Sequence, residues 1–220
     1  MRYSTCFFDL DGTLTDSSEG ITNGIRHMLE HVGIPVTDKG KLTDWIGPPL
    51  AEKLAEDFGI IGKQAMEAVG VFRTYYTQQG YRENRVYDRI IPLLERLSRA
   101  GLDLVIATSK PDDHAMMVLD HFELAGHFSS VYANSSDNQR PTKADVIRHA
   151  IDSHGLEHNR DRVIMVGDRH HDICGARQNG IDALGVLYGF SAEGELHNCK
   201  ATALVPDPDA IGNFLLHKQR

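Results

Sequence analysis

Residues 7–17 read FFDLDGTLTDS. The run before them, Tyr3–Phe8, is short, aromatic and rich in β-formers, so it reads as a strand that stops where Asp9 begins a polar turn. Asp9 and Asp11 stand two apart and are followed by Gly12 and Thr13. In extended backbone, residues two apart face one way, and a turn opened at Gly12 lets both carboxylates meet one ligand. An ordinary turn is the competing reading, because Asp and Gly both favour turns. At typical frequencies of about 5–7% per position, DxDGT arises by chance about once in a few hundred chains of this length.

Three later segments also carry candidate chemistry, two of them where an apolar strand ends and one where a helix begins. In VIATSKP, residues 105–111, a strand over Leu102–Ala107 ends at Thr108 and Ser109, and Lys110-Pro111 is expected to open the helix Asp112–His121. Hydroxyls and free N–H groups at a helix start can bind an anion, or Ser109 can simply cap the helix. In RPTKADVI, Thr142 and Asp145 resemble a capping box, which puts Lys143 in the first turn of a helix over Lys143–Ser153. A cation there opposes the helix dipole and points to some other partner, against the bland reading of a solvated lysine. In VIMVGDRHHD, residues 163–172, a strand over Arg162–Val166 runs into Gly167-Asp168, and Asp172 follows four residues later. Asp168 suits a hard cation such as Mg²⁺, and either acid suits a helix cap.

Between Ser17 and about Tyr87 the apolar spacing is helical: Ile21, Ile25, Met28, Leu29 and Val32, then Leu50, Leu54 and Phe58, then Met66, Val69, Phe72 and Tyr76. Beyond that segment, strand and helix alternate, with short strands at Val131–Tyr132 and Ala183–Leu187 and a helix over Asp172–Asn179. This pattern predicts an α/β fold: a Rossmann-like parallel sheet with helices on both faces. The expected division is a core of residues 1–16 and 88–220 and an inserted helical domain of residues 17–87. All four motifs fall at the carboxyl ends of strands or in the loops just after them, the edge where open α/β sheets bind ligands.

The order DxDGT, strand ending in Thr, downstream Lys, then GDxxxD resembles the haloacid dehalogenase superfamily, over nearly the whole chain. TSKP, KADVI, MVGDRxHD and GVLYG resemble its phosphoglycolate-phosphatase-like branch, and the helical insertion resembles that branch's small α-helical cap. The resemblance implies a phosphatase for a small phosphate monoester, of phosphoglycolate or nucleoside 5′-monophosphate type, acting through an aspartyl-phosphate. It implies Asp9 as nucleophile, Asp11 as general acid and base, and Lys143 paired with Asp9 and the phosphoryl group. It also implies Thr108 and the Ser109 N–H on phosphoryl oxygens. Mg²⁺ is expected on Asp9, the Asp11 carbonyl and Asp168. Asp172 either holds a metal-bound water or orients Lys143. Ser109 stands where many members have Asn, which leaves a backbone N–H unaffected. A phosphomutase on the same fold and a non-catalytic regulatory protein remain the alternatives.

Composition bounds these readings. The 220 residues are 41% hydrophobic and 25% charged, with a formal net charge of −8. An acidic chain argues against a nucleic-acid polymer as partner, and its repulsion of a phosphate ester calls for a cation at the site. No stretch approaches the ~18–20 apolar residues of a membrane span. MRYSTCFFDL does not read as a signal peptide, and Cys6, Cys174 and Cys199 show no metal or disulfide spacing, so a cytoplasmic protein is expected. Arg140 is a further candidate for the substrate phosphate. His27 and His31, at ligand spacing, lack a third ligand and read as surface residues, as does His171. The sequence leaves the oligomeric state open.

Overall fold

The computed structural model describes residues 1–36, 39–135 and 140–217, with backbone alone for 39–41. The chain forms two compact units, Met1–Asp16 with Val86–Arg220, and Ser17–Arg85.

In chain order the strands are β1 (Thr5–Phe8), β2 (Thr15–Asp16), β3 (Arg85–Val86), β4 (Asp103–Pro111), β5 (Ser130–Asn134), β6 (Val163–Gly167), β7 (Asp182–Val186) and β8 (Ala203–Val205). The helices are α1 (Ser18–His31), α2 (Leu50–Phe58), α3 (Gly62–Tyr75), α4 (Ile90–Arg99), α5 (Asp112–His121), α6 (Lys143–Ser153), α7 (His170–Gln178) and α8 (Pro208–Leu216).

The first unit is built on a six-stranded sheet of order β5-β4-β1-β6-β7-β8, parallel throughout. Sheets of this kind bury both faces, which is why β1 and β6 read as continuous apolar runs. Phe7, Val105, Met165 and Ala183 pack on Val146, Ile147 and Ala150 of α6 and Ile173 and Ala176 of α7. The alternate residues Cys6, Phe8, Ile106 and Ile164 point the other way and are equally buried. On that side Tyr3 stacks on Phe214 of α8, with ring centroids 6.5 Å apart. The expected Rossmann-like sheet with helices on both faces is the one observed.

The register sets the site. Phe8 pairs with Ile106 of β4 on one side and Val166 of β6 on the other. Asp9, Thr108 and Asp168 therefore leave the sheet at the same edge, within two residues of that row. One local expectation is corrected. Lys110-Pro111 does not open α5; β4 continues to Pro111, with its register to β5 broken between Thr108 and Pro111. Proline disfavours helical backbone in the residue before it, so Lys110 stays extended and Pro111 becomes the N-cap.

In the second unit, α1 and α3 pack together where Gly24 lets the rings of Phe72 and Tyr75 approach. Ile25, Met28 and Leu29 of α1 and Ala65 and Ala68 of α3 are buried. A π-turn over Tyr76–Gly80 ends α3, and Glu83 then accepts hydrogen bonds from Asn23 (2.9 Å), Tyr75 (2.8 Å) and Gln79 (2.5 Å). Among the described residues no helix is long and apolar enough to cross a membrane.

Candidate active site

Asp9 is the first residue beyond β1, and its N–H donates to the Val166 carbonyl at 3.0 Å, continuing the sheet. The chain then folds tightly: the N–H groups of Thr13, Leu14 and Thr15 all donate to the Leu10 carbonyl. Leu10 and Leu14 are buried and anchor this turn. Gly12 takes a φ of 84°, which favours glycine.

Lys143 is the first residue of α6, behind the Thr142–Asp145 capping box. It is not a solvated lysine. Its Nζ donates to Asp9 Oδ1 at 2.7 Å and to the Ala107 carbonyl at 3.0 Å. It also lies 2.9 Å from Asp172 Oδ1, an ion pair outside hydrogen-bond geometry. Asp172 Oδ2 meanwhile accepts from the Arg169 N–H at 3.0 Å and caps α7. The lysine uses only one oxygen of Asp9, so Oδ2 has no partner among the described residues.

Asp168 follows β6 and is fully buried. Its Oδ1 accepts from the Thr13 hydroxyl at 3.2 Å and its Oδ2 from the Phe190 N–H at 2.7 Å. Tyr188 supports the same turn by donating to the Thr13 carbonyl at 2.7 Å. Gly12 and Gly189 flank this carboxylate so closely that a Cβ at either would overlap it. The Tyr188–Phe190 contribution is missing from the sequence reading, which saw GVLYG only as a likeness; the two glycines were the available signal.

Carboxylate oxygens of Asp9, Asp168 and Asp172 lie within 4.8 Å of one another. Three buried acids thus share one buried ammonium. Burial pushes the Asp9 carboxyl up to about 6 against the pull of Lys143, with Asp172 and Asp11 adding to the rise. Burial, Asp172 and Asp9 push Asp168 well above the ordinary carboxylate range. Burial works against the charge on Lys143, but Asp172 and Asp9 outweigh it and hold the ammonium above the usual lysine range. The excess negative charge, an all-oxygen donor set and an Asp172 oxygen without a hydrogen-bond donor fit a hard divalent cation.

Thr108 is buried and its Oγ1 accepts from the Lys110 N–H at 3.3 Å; Ser109 beside it is half-buried. Ser109 does not cap α5: Pro111 is the N-cap, and in the first turn the side chains of Asp112 and Asp113 accept from the N–H groups of Asp113 and His114. Thr108 and Ser109 therefore lie at the bulged end of β4 and not at a helix terminus. Lys110, not singled out from sequence as a site residue, reaches across to Asp11: its Nζ lies 3.0 and 2.7 Å from the two carboxylate oxygens. Arg140 lies at the edge strand, its Nε donating to the Ala133 carbonyl at 2.9 Å, and Ala133 is in register with Thr108. It does not join the carboxylate cluster. His27 stacks on Tyr75, and no histidine joins a metal-competent cluster among the described residues. His171 is exposed at the start of α7, as expected of a surface residue, and partial desolvation and His170 hold its ring below the ordinary histidine range.

The sequence pattern of the haloacid dehalogenase-like hydrolases matches residues 6–186. A 5′-nucleotidase of Pseudomonas aeruginosa is 40% identical over 215 residues, spanning 98% of this chain and 96% of that protein. The tyrosine-protein kinase PtkA of Mycobacterium tuberculosis is 42% identical over 183 residues, 83% of this chain and 62% of that protein. A phosphoglycolate phosphatase of Agrobacterium fabrum is more distant, 29% identical over 84% of this chain and 80% of its own length. Among solved structures, a protein described as a predicted phosphatase from Clostridium acetobutylicum superposes with a TM-score of 0.92 at 39% identity, covering 98% and 99% of the two chains.

Proposed function

The chain belongs to the haloacid dehalogenase-like hydrolases and is a phosphoric monoester hydrolase of that family, and from this we propose that it cleaves a small phosphate ester through an aspartyl-phosphate on Asp9. The observation that carries the reading is the arrangement around Asp9: Lys143 holds one carboxylate oxygen at 2.7 Å and leaves the other open at the sheet edge. That oxygen attacks phosphorus, and the bond from phosphorus to the ester oxygen breaks. Asp11 gives a proton to the departing alkoxide, then takes one from the water whose oxygen attacks the aspartyl-phosphate, releasing phosphate and restoring Asp9. Thr108 and the Ser109 N–H hold phosphoryl oxygens, and Lys143 offsets the charge that builds on them. Asp9 and Asp168, with the main-chain carbonyl of Asp11, are assigned to Mg²⁺, which when bound supplies a Lewis acid that offsets phosphate charge. The distance from Lys143 to Asp172 supports a role for Asp172 in orienting that lysine.

The relatives named 5′-nucleotidase and phosphoglycolate phosphatase support a phosphorylated metabolite as substrate and leave its identity to experiment. Phosphoglycolate and nucleoside 5′-monophosphates lead the candidates, since both types of phosphatase occur among the relatives. We assign the choice among them to the helical segment, residues 17–87, as a cap. A phosphomutase would use the same residues but isomerise a sugar phosphate instead of releasing phosphate.

The test is Asp9→Asn assayed with p-nitrophenyl phosphate in Mg²⁺ and in EDTA, beside a thermal melt. The variant should fold and lose turnover by on the order of 10⁴-fold or more, and the parent enzyme should stop in EDTA. Turnover near the parent's by folded Asp9→Asn sinks the nucleophile assignment, and full activity after chelation sinks the metal assignment.

A further inference from the structure

Each acid of the carboxylate cluster has its own support: Asp9 has Lys143, Asp168 has Thr13 and Phe190, and Asp172 has Arg169 and Lys143. Asp11 stands apart from them. Among the described residues its side chain has one partner, Lys110, whose Nζ spans both oxygens at 3.0 and 2.7 Å. Both side chains are largely removed from solvent, at 6% and 17% exposure. An ion pair so enclosed keeps more of its strength than one in open water.

The backbone that delivers Lys110 is specialised for this contact. The register between β4 and β5 breaks between Thr108 and Pro111, and bulges of this kind re-aim side chains next to functional sites. The Lys110 N–H donates to Thr108 Oγ1, which ties the two residues to each other. Thr108 and Lys110 are both buried while Ser109 between them is half-buried, and Pro111 at the N-cap fixes the chain behind them. One short segment thus presents a hydroxyl to the phosphoryl site and an ammonium to Asp11.

We propose that Lys110 is the positioning residue for Asp11: it fixes that carboxylate at the phosphoryl site and acts through it, with no contact of its own to the substrate. The inference rests on the acid–base reading of Asp11 given above. A short carboxylate with no other anchor would rotate among its staggered positions, and a misplacement of about 1 Å in a reacting group can cost on the order of 10²-fold in rate.

The experiment is a double-mutant cycle in kcat/KM with Lys110→Met, Asp11→Asn and both together, using p-nitrophenyl phosphate and an alkyl phosphate, with a thermal melt on each protein. Lys110→Arg is the second variant, because a guanidinium fork can also span a carboxylate. Lys110→Met should lower kcat/KM by about 10–10²-fold for the alkyl ester, whose poor leaving group depends on Asp11, and change it little for p-nitrophenyl phosphate, whose phenolate leaves without help. Lys110→Arg should recover part of that loss. In the Asp11→Asn background the lysine substitution should change the rate by less than about 3-fold, since the group it positions is gone. Losses that multiply in the double variant, or that are equal for both esters, overturn the proposal and place Lys110 on the substrate itself. Parent-like kcat/KM for Lys110→Met with the alkyl ester overturns it too. If Asp11→Asn alone slows both esters equally, the acid–base reading fails first and takes the proposal with it.

Discussion

At the scale of single residues, the site is set by how closely backbone approaches carboxylate. Asp168 is enclosed by the Thr13 hydroxyl, the Phe190 N–H and two residues without side chains, Gly12 and Gly189. Gly12→Ala adds a Cβ that overlaps the Asp168 carboxylate, at a φ of 84° that L side chains rarely adopt. We predict a stability loss of about 1–3 kcal/mol and a rise of about 10–100-fold in the Mg²⁺ concentration for half-maximal activity. Gly189→Ala drives a Cβ into the Gly12 main-chain carbonyl as well as the Asp168 carboxylate, so it should raise the Mg²⁺ requirement with a comparable stability loss, although its backbone is not left-handed. Titrating Mg²⁺ against p-nitrophenyl phosphate turnover checks both. An unchanged requirement in both variants removes Asp168 from the metal assignment. Strand ends made Asp9 and Asp168 legible in the sequence. The pairing of Lys110 with Asp11 was not legible, because it joins residues 99 apart through a bulge that no local pattern announces.

At the scale of elements, α7 carries Asp172 and needs its own anchor. Glu195 provides it: Oε1 accepts from Arg169 Nε (3.0 Å) and the His170 N–H (2.8 Å), while Oε2 accepts from the Ala192 N–H (3.0 Å). These donors outweigh the effect of burial and lower the Glu195 carboxyl from 4.5 to about 2. A carboxyl lowered on folding stabilises the protein above its unfolded value and loses that contribution as pH falls through the folded one. Glu195→Gln should therefore cost about 1–2 kcal/mol at pH 7, and the gap in Tm from the parent should narrow as pH falls from 4.5 toward 2. A gap that stays constant between pH 7 and 3 contradicts this account of the loop. The strands and helices themselves were largely readable: α5 and α6 begin and end where the apolar spacing puts them. The sequence reading passed over α4, β8 and α8. Pro92 interrupts the pattern of α4, yet it falls in the first turn, where a missing N–H is tolerated. β8 is three residues long, too short to show alternation, and α8 begins at Pro208 within a proline-broken stretch that resembles a loop.

At the scale of the whole molecule, a chain of net charge −8 must hold a phosphate ester against three clustered acids. The fold answers by gathering Lys143 and Lys110 at the carboxyl edge of one parallel sheet, each on a different acid. In the proposed mechanism that pairing separates the two chemical steps: Lys143 would serve the carboxylate that takes up the phosphoryl group, and Lys110 the one that moves protons. Loss of the second carboxylate should then strand the reaction between the steps. p-Nitrophenolate leaves without help, so Asp11→Asn should still transfer phosphate to Asp9 from p-nitrophenyl phosphate, but release it slower by about 10²–10⁴-fold. An alkyl phosphate should react poorly from the start. The decisive measurement is rapid-quench kinetics of Asp11→Asn with both esters, followed by mass spectrometry of the quenched protein. The account predicts a burst of p-nitrophenol equal to the enzyme present, little burst from the alkyl ester, and a phosphoryl group retained on the peptide that contains Asp9. Equal slowing of both esters, with no burst and no phosphoryl group on that peptide, would contradict it.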